Sequence, residues 1–163
     1  MSESFISFKA TASAELDRRV LELPTRTRTA IFKKAMKAAA QPIAEMAQAH
    51  IGGSGILRGS IEFKVSSKDN GRLVRCYIGP ARDIMVPVDV HKSGLGLPPF
   101  VAIPTRYAHL VEFGHDIVRN GKVIGHVGPK AFMRPAWLAE GGDVALFHFK
   151  EALETELVST LTA

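Results

Sequence analysis

The sequence predicts an α+β fold in which helices pack on a small antiparallel sheet. Apolar residues recur every three or four positions in the segments 26–50 and 143–161, which indicates amphipathic helices. They alternate with polar residues between 57 and 79, which indicates paired strands, and Asn120-Gly121 favours a second hairpin. We therefore expect two hairpins, packed by N-terminal helices and a C-terminal helix, with a long loop between the hairpins.

The size and composition of the chain indicate one ordinary globular domain. A length of 163 residues suits a single domain spanning 1–163. Hydrophobic residues make up 46% and charged residues 23% of the chain, which excludes a wholly disordered or fibrous protein. The N-terminus lacks a basic region followed by an apolar stretch, and no run of about eighteen apolar residues occurs, so neither a signal peptide nor a membrane span is expected.

Three elements are predicted before residue 51: a short strand at 4–10, a helix at about 14–22 and a longer helix at about 26–50. Pro24 ends the first helix, and Thr25 is a suitable N-cap for the second. Pro42 lies inside the second helix. Because proline removes a backbone donor and clashes with the preceding turn, we expect a kink near residues 38–42.

A hairpin and a long loop are predicted in the middle of the chain. After a flexible stop at 51–55, residues 57–67 form a half-buried strand, and KDNG at 68–71 turns the chain into a returning strand at 72–79. The stretch 80–104 contains five prolines and only short extended pieces. Long stretches of this kind are typically functional or disordered loops, so we expect a mobile loop that carries assembly contacts.

The last third of the chain is predicted to form a short helix, a hairpin and two further helical segments, at 107–113, 115–127, 136–140 and 143–161. Gly114 suits a left-handed C-cap of the short helix, and Asn120-Gly121 suits a type I′ turn. Pro135 is expected at the first position of a helix, where its missing N–H is no loss.

Charge is distributed unevenly along the chain, which has a formal net charge of +5. The segment from Leu23 to Glu45 holds five basic residues and no acid before Glu45, and residues 140–156 hold five acids against Lys150. The candidate contacts with a partner or with DNA are Arg26, Arg28, Lys33, Lys34 and Lys37. Opposite charges fit head-to-tail contacts between copies, or simply solvated helix faces. With only Phe32 close by, no base-stacking platform is evident.

No catalytic, cofactor-binding or metal-binding residue is predicted. His109, Glu112 and His115 offer zinc-type ligands, but their spacing does not match HExxH or its inverted form. No GxSxG motif, phosphate-binding loop or dinucleotide fingerprint occurs, and the single cysteine, Cys76, cannot form an intramolecular disulfide or a thiolate cluster. A metal-dependent hydrolase using the His109, Glu112 and His115 cluster is kept as one alternative, and a basic DNA-binding module as another.

Four short motifs are informative because they occur together in a fixed order along the chain: SGILRGSI (54–61), YIGP (77–80), YAHLVEFG (107–114) and KAFMRPA (130–136). Together with LDRRVLELP and the basic helix that follows, they resemble the signature of a tailed-bacteriophage tail-component family, also described as tail-completion or head–tail joining neck proteins. The resemblance extends over nearly the whole chain. The chain departs from the family pattern in the long 80–104 loop and in the hairpin that separates the last two motifs.

The resemblance implies a structural virion protein without catalytic activity or cofactor. It would assemble in the host cytoplasm as a ring, hexameric in this family, at the neck between the head and the tail tube. Its partners would be itself, other neck and tail proteins, and DNA passing through the channel, with no membrane contact.

The family-motif residues are Tyr107, Glu112, Phe113, Gly114, Phe132, Arg134 and Pro135. Most of these residue types indicate core packing, since the aromatic residues would lie on an apolar helix face and proline would begin a helix. Glu112 and Arg134 are the polar members, and a carboxylate and a guanidinium form a directional pair. We expect them to pair within a subunit or across a ring interface.

Overall fold

A computed structural model describes residues 18, 20–52, 55–68, 73–88 and 100–161. The strand predicted at 4–10, the start of the helix predicted at 14–22, most of the KDNG turn and the middle of the loop predicted to be mobile lie outside the described residues. The described part combines helices with small hairpin sheets, which confirms the α+β prediction.

Five helices have defined bounds within the described residues: α1 (Thr25–His50), α2 (Gly55–Ser60), α3 (Pro104–Phe113), α4 (Met133–Glu140) and α5 (Asp143–Leu161). Six strands accompany them: β1 (Ile61–Lys68), β2 (Leu73–Pro80), β3 (Val86–Val88), β4 (Phe100–Ala102), β5 (His115–Arg119) and β6 (Lys122–Val127). Each strand pairs with its neighbour in sequence, giving three two-stranded sheets. None of the described helices is long and apolar enough to cross a membrane.

Most element boundaries follow the sequence patterns. The predicted helix at 26–50 is observed as α1, which continues through Pro42. In β1 the apolar residues are the less exposed ones and the charged residues are exposed, as the alternation predicts. The ends of the 80–104 stretch pair as β3 and β4, with Val86 opposite Ala102. The turn between β5 and β6 has positive φ at both Asn120 (50°) and Gly121 (74°), as a type I′ turn requires.

Helix α2 departs from the sequence prediction, which places residues 57–60 in the strand that follows. The Ser60 hydroxyl donates to the Leu57 carbonyl at 2.7 Å, which closes one helical turn locally. Leu57 and Ser60 are both buried, and the alternating burial begins only at Ile61. A polar side chain that bonds to the backbone inside such a short segment leaves no periodic signal, so sequence reasoning extended the strand.

The chain separates into two compact units. One comprises residues up to 42, 64–77 and 140 onward, and the other comprises 43–63 and 78–139. In the first unit, one side of α1 and one side of α5 are buried, at Ile31, Ala35, Ala39, Phe149, Leu153 and Leu157. The rings of Phe32 and Phe149 stack with their centroids 6.1 Å apart, so these two helices pack against each other within one chain.

The second unit has its own core. Buried side chains come from the end of α1, from α2, and from the segments before and within α4, at Ile43, Ala47, Leu57, Phe132 and Ala136. Hydrogen bonds connect separate segments of this unit, since the amide N–H of Ala81 donates to the Ser60 carbonyl at 2.8 Å and the Gln48 side chain donates to the Ile61 carbonyl at 2.9 Å. This unit carries the motifs YAHLVEFG and KAFMRPA.

Candidate functional site

The second unit holds a buried carboxylate, that of Glu112. The buried residues of α3 are Pro104, Ala108 and Glu112, spaced by four positions and therefore on one side of the helix. Glu112 is only 8% exposed. The sequence predicted α3 from residue 107, but it begins at Pro104, because a proline is tolerated in the first helical turn and this one is buried.

The Glu112 carboxylate accepts three backbone hydrogen bonds from the start of α4. Its Oε2 accepts the N–H groups of Phe132 at 2.7 Å and Met133 at 3.0 Å, and its Oε1 accepts the N–H of Arg134 at 3.1 Å. Pro135 has no N–H, and the next amide, that of Ala136, bonds to the Phe132 carbonyl at 3.4 Å. The first amides of a helix have no partner inside it, so this one side chain and one proline satisfy the whole N-terminus of α4. A negative charge is also favourable there.

Pro135 is therefore the third residue of α4, whereas the sequence predicted it at the first position. Proline is suitable at any position whose N–H would lack an intrahelical partner, and residue 135 is such a position. Glu112 supplies acceptors for the earlier amides, which moves the helix start back to Met133. We call this arrangement of Glu112 with residues 132–135 the Glu112 clamp.

Gly114 is required where the chain leaves α3. Its φ is 75° and its ψ is 173°, a combination that glycine adopts far more readily than other residues. A Cβ at this position would lie 2.5 Å from the Val127 carbonyl oxygen and 2.9 Å from the Pro129 nitrogen. The Lys130 N–H also donates to the Val111 carbonyl at 2.8 Å. The clamp and these contacts together tie the two ends of the β5–β6 hairpin to each other.

The Arg134 side chain contacts Phe113 and does not form the predicted pair with Glu112 within the subunit. Its guanidinium carbon lies 5.7 Å from the centroid of the Phe113 ring, a cation–π distance. The carboxylate contacts the backbone of Arg134 instead. Phe113, predicted on an apolar core face, is 60% exposed, whereas Phe132 is 1% exposed and Tyr107 is half-buried. Of the two polar motif residues, only Glu112 therefore belongs to the core.

The structure does not assemble the histidine and carboxylate cluster. His109 is exposed, the His115 ring nitrogen lies 3.5 Å from the Leu110 carbonyl, and His126 pairs with Asp116 at 2.9 Å across the hairpin. Both Glu112 oxygens are occupied by backbone amides. In the described part of the chain, no three His, Cys, Asp or Glu side chains are close enough together to hold a metal ion.

The β5–β6 hairpin exposes an unusual amount of apolar surface. No residue of either strand is buried, and its exposed apolar side chains are Ile117, Val118, Val123, Ile124 and Val127. They include two adjacent pairs, 117–118 and 123–124. Adjacent residues of a regular strand point to opposite faces, so Ile117 and Val118 place apolar groups on both faces of this two-stranded sheet. The register shifts opposite them, where Ile124 is the extra residue of β6. These adjacent apolar pairs are the sequence signal for an exposed surface, and the hairpin prediction does not include that surface.

The candidate basic contacts lie on α1. Arg26 and Lys37 are exposed, and Arg28 and Lys33 are half-buried. The Lys34 ammonium lies 2.6 Å from a Glu156 carboxylate oxygen, so part of the charge asymmetry between the two ends is compensated within one chain.

Comparison with known proteins agrees with the resemblance inferred from the motifs. A family model described as "Bacteriophage HK97-gp10, putative tail-component" matches residues 14–114. The match ends at Gly114, one residue before β5, and does not include KAFMRPA, so it covers less of the chain than the motifs suggested. No curated protein and no solved structure matches the chain significantly. Because the family match spans more than half of the sequence, the chain belongs to this bacteriophage tail-component family.

Proposed function

We propose that the protein is a one-domain structural subunit that completes the tail at the head–tail joint, where its copies assemble as a ring. Family membership supports a structural role in the tail. The observation that carries the proposal of assembly is the exposed β5–β6 hairpin. In this proposal the protein is part of the virion, performs no catalysis, and contacts other neck and tail proteins.

The hairpin is a suitable assembly element because it is fixed at its base and uncovered along its length. A two-stranded hairpin is only marginally stable by itself in water. Here the Glu112 clamp, the Gly114 contacts and the hydrogen bond between Lys130 and Val111 hold its two ends. Five exposed apolar side chains on such a support are typical of a surface that another protein covers.

Closure of a ring would stabilise the assembly even if each contact between two subunits is weak. In a closed ring every subunit uses the same surfaces, so one weak contact is repeated around the whole assembly. The resemblance stated above suggests six copies. The central channel would pass DNA, and the basic residues of α1 would attract phosphates wherever they line it.

A shortened hairpin tests the proposal. Asp116 and His126 face each other in the register, so a two-residue Asn-Gly turn can replace residues 117–125 and leave the base intact. We expect wild-type protein to form rings in mass photometry and negative-stain images, alone or with tail proteins of the same phage. The shortened variant should keep its circular dichroism spectrum and stay monomeric.

Two results would contradict the proposal. Wild-type protein that stays monomeric with every tail protein would exclude ring assembly, and a shortened variant that still forms rings would exclude the hairpin as the assembly element. If instead the monomer bound free duplex DNA with strong salt dependence, the DNA-binding alternative would be supported.

A further inference from the structure

The tip of the β5–β6 hairpin combines apolar and basic side chains. Val118 pairs with Val123 in the register, Arg119 pairs with Lys122 as the last pair before the turn, and Ile124 follows. The three apolar residues are 60–62% exposed, and both basic residues are exposed. The acid of the hairpin, Asp116, pairs with His126 away from the tip. Because adjacent residues of β5 point to opposite faces, Arg119 and its partner Lys122 share a face with Ile117, and Val118 and Val123 lie on the other face. We call residues 117–124 the hairpin tip, and one of its faces carries positive charge beside Ile117.

The outer side of α5 combines apolar and acidic side chains. Residues 144, 147, 151, 154 and 158 recur every three or four positions, so they share the side opposite the buried Phe149, Leu153 and Leu157. Val144, Phe147 and Val158 are 38%, 63% and 61% exposed. Between them lie the exposed acids Glu151 and Glu154. We call this surface the α5 stripe.

Resting on the ring proposed above, we infer that the hairpin tip of one subunit docks on the α5 stripe of the next copy. Each surface has exposed apolar groups beside its charges, and the charges of the two surfaces are opposite, which favours this pairing. Two hairpin tips facing each other would bring Arg119 and Lys122 against the same residues of the partner. The outer residues of α1, such as Arg26 and Lys37, would also repel the tip.

The proposed contact is heterologous, because it joins two different surfaces. When a contact of this kind is not reciprocal between two copies, it passes from each copy to the next until it closes, which produces a ring. The inference is therefore compatible with the ring proposed above. The Lys34–Glu156 pair within each chain involves none of the charged residues of these two surfaces. The proposed contact therefore gives the opposite charges of the two surfaces a function.

A charge-exchange experiment tests the contact. The Arg119→Glu/Lys122→Glu variant should need a subunit concentration about tenfold higher or more to form rings, and Glu151→Lys/Glu154→Lys should need a similar increase. Combining all four changes should restore assembly, because the charges are again opposite. The matched control is Lys64→Glu/Arg75→Glu, which reverses two exposed charges on the other hairpin and should leave assembly unchanged.

Cysteine cross-linking identifies the two surfaces directly. In a Cys76→Ser background, Ile117→Cys and Phe147→Cys proteins should each remain uncross-linked alone and form disulfide dimers when mixed. A double variant should give a ladder on non-reducing gels whose top band counts the copies in the ring.

The outcomes separate this inference from the proposed function. Rings that survive both charge reversals, or no rescue by the fourfold exchange, would overturn the docking contact and leave ring assembly standing. Homodimers of Ile117→Cys alone would show hairpins meeting hairpins, and homodimers of Phe147→Cys alone would show helices meeting helices, and either result would also overturn it. A wild-type protein that forms no ring under any of these conditions would instead contradict the proposed function.

Discussion

Replacing Glu112 with glutamine should destabilise the protein substantially although the two side chains have the same shape. Glutamine has one carbonyl oxygen, which can keep the Phe132 and Met133 bonds, and it places an NH₂ group against the Arg134 N–H. Losing one hydrogen bond to a charged acceptor costs about 1.5–3 kcal/mol. Losing the negative charge at the helix N-terminus costs about 0.3–1 kcal/mol more. Since Glu112 is 8% exposed, water cannot readily replace the lost partner, and we expect a total loss of about 2–4 kcal/mol.

Urea denaturation followed by fluorescence measures this loss. Trp137 is the single tryptophan of the chain and lies within α4, the helix that Glu112 caps. For a chain of this length, 1 kcal/mol corresponds to about 2–4 °C in Tm, so thermal unfolding should show a decrease of about 4–16 °C. The matched control is Glu62→Gln, an exposed glutamate on β1, whose effect should stay within about 0.5 kcal/mol. Equal stabilities for the two variants would refute the clamp as a source of stability.

Three further predictions concern packing and reactivity. Gly114→Ala should lower the free energy of unfolding by about 2–4 kcal/mol, because φ is 75° and a backbone oxygen would lie 2.5 Å from the new Cβ. The control is Gly128→Ala, whose Cβ meets nothing within 4 Å and which should change the free energy of unfolding by less than about 1 kcal/mol in the same urea titration. Phe149→Ala should cost about 3–5 kcal/mol and the exposed Phe147→Ala less than about 0.5 kcal/mol at monomer concentrations, and similar values for the two would contradict the packing of α5. Burial raises the pKa of the Cys76 thiol from 9.0 to about 11, so iodoacetamide at pH 8 should alkylate it on the order of 100-fold more slowly in the folded than in the urea-unfolded protein.

The sequence predicted elements wherever a local pattern dictates backbone conformation. Asn120-Gly121 takes positive φ at both positions because few other residue pairs tolerate it, and the turn was placed correctly. The apolar period of α1 likewise predicted its extent to within one residue. These signals depend on neighbours in sequence and need no knowledge of the tertiary fold.

The Glu112 clamp could not be predicted in the same way. The clamp joins residues about twenty positions apart, and its acceptor is a charged side chain on a helix face that is otherwise apolar. Residue type favoured a guanidinium partner for that carboxylate, yet the amides of α4 bind it because they have no partner within their own helix. Phe113 was assigned to the core for a related reason, since hydrophobicity alone does not reveal that the buried side of α3 runs through Pro104, Ala108 and Glu112.

The positions of the two motifs suggest how stability and assembly are separated in this chain. YAHLVEFG supplies Glu112 and Gly114, KAFMRPA supplies the amides that Glu112 binds, and the exposed hairpin lies between them in sequence. Changes in the clamp should therefore lower the free energy of unfolding first and affect assembly through the hairpin base. Changes at the hairpin tip, where no residue is buried, should affect assembly alone. The two motifs thus form the support of the hairpin surface of the proposed contact, and that surface lies in the thirteen residues that directly follow the family match.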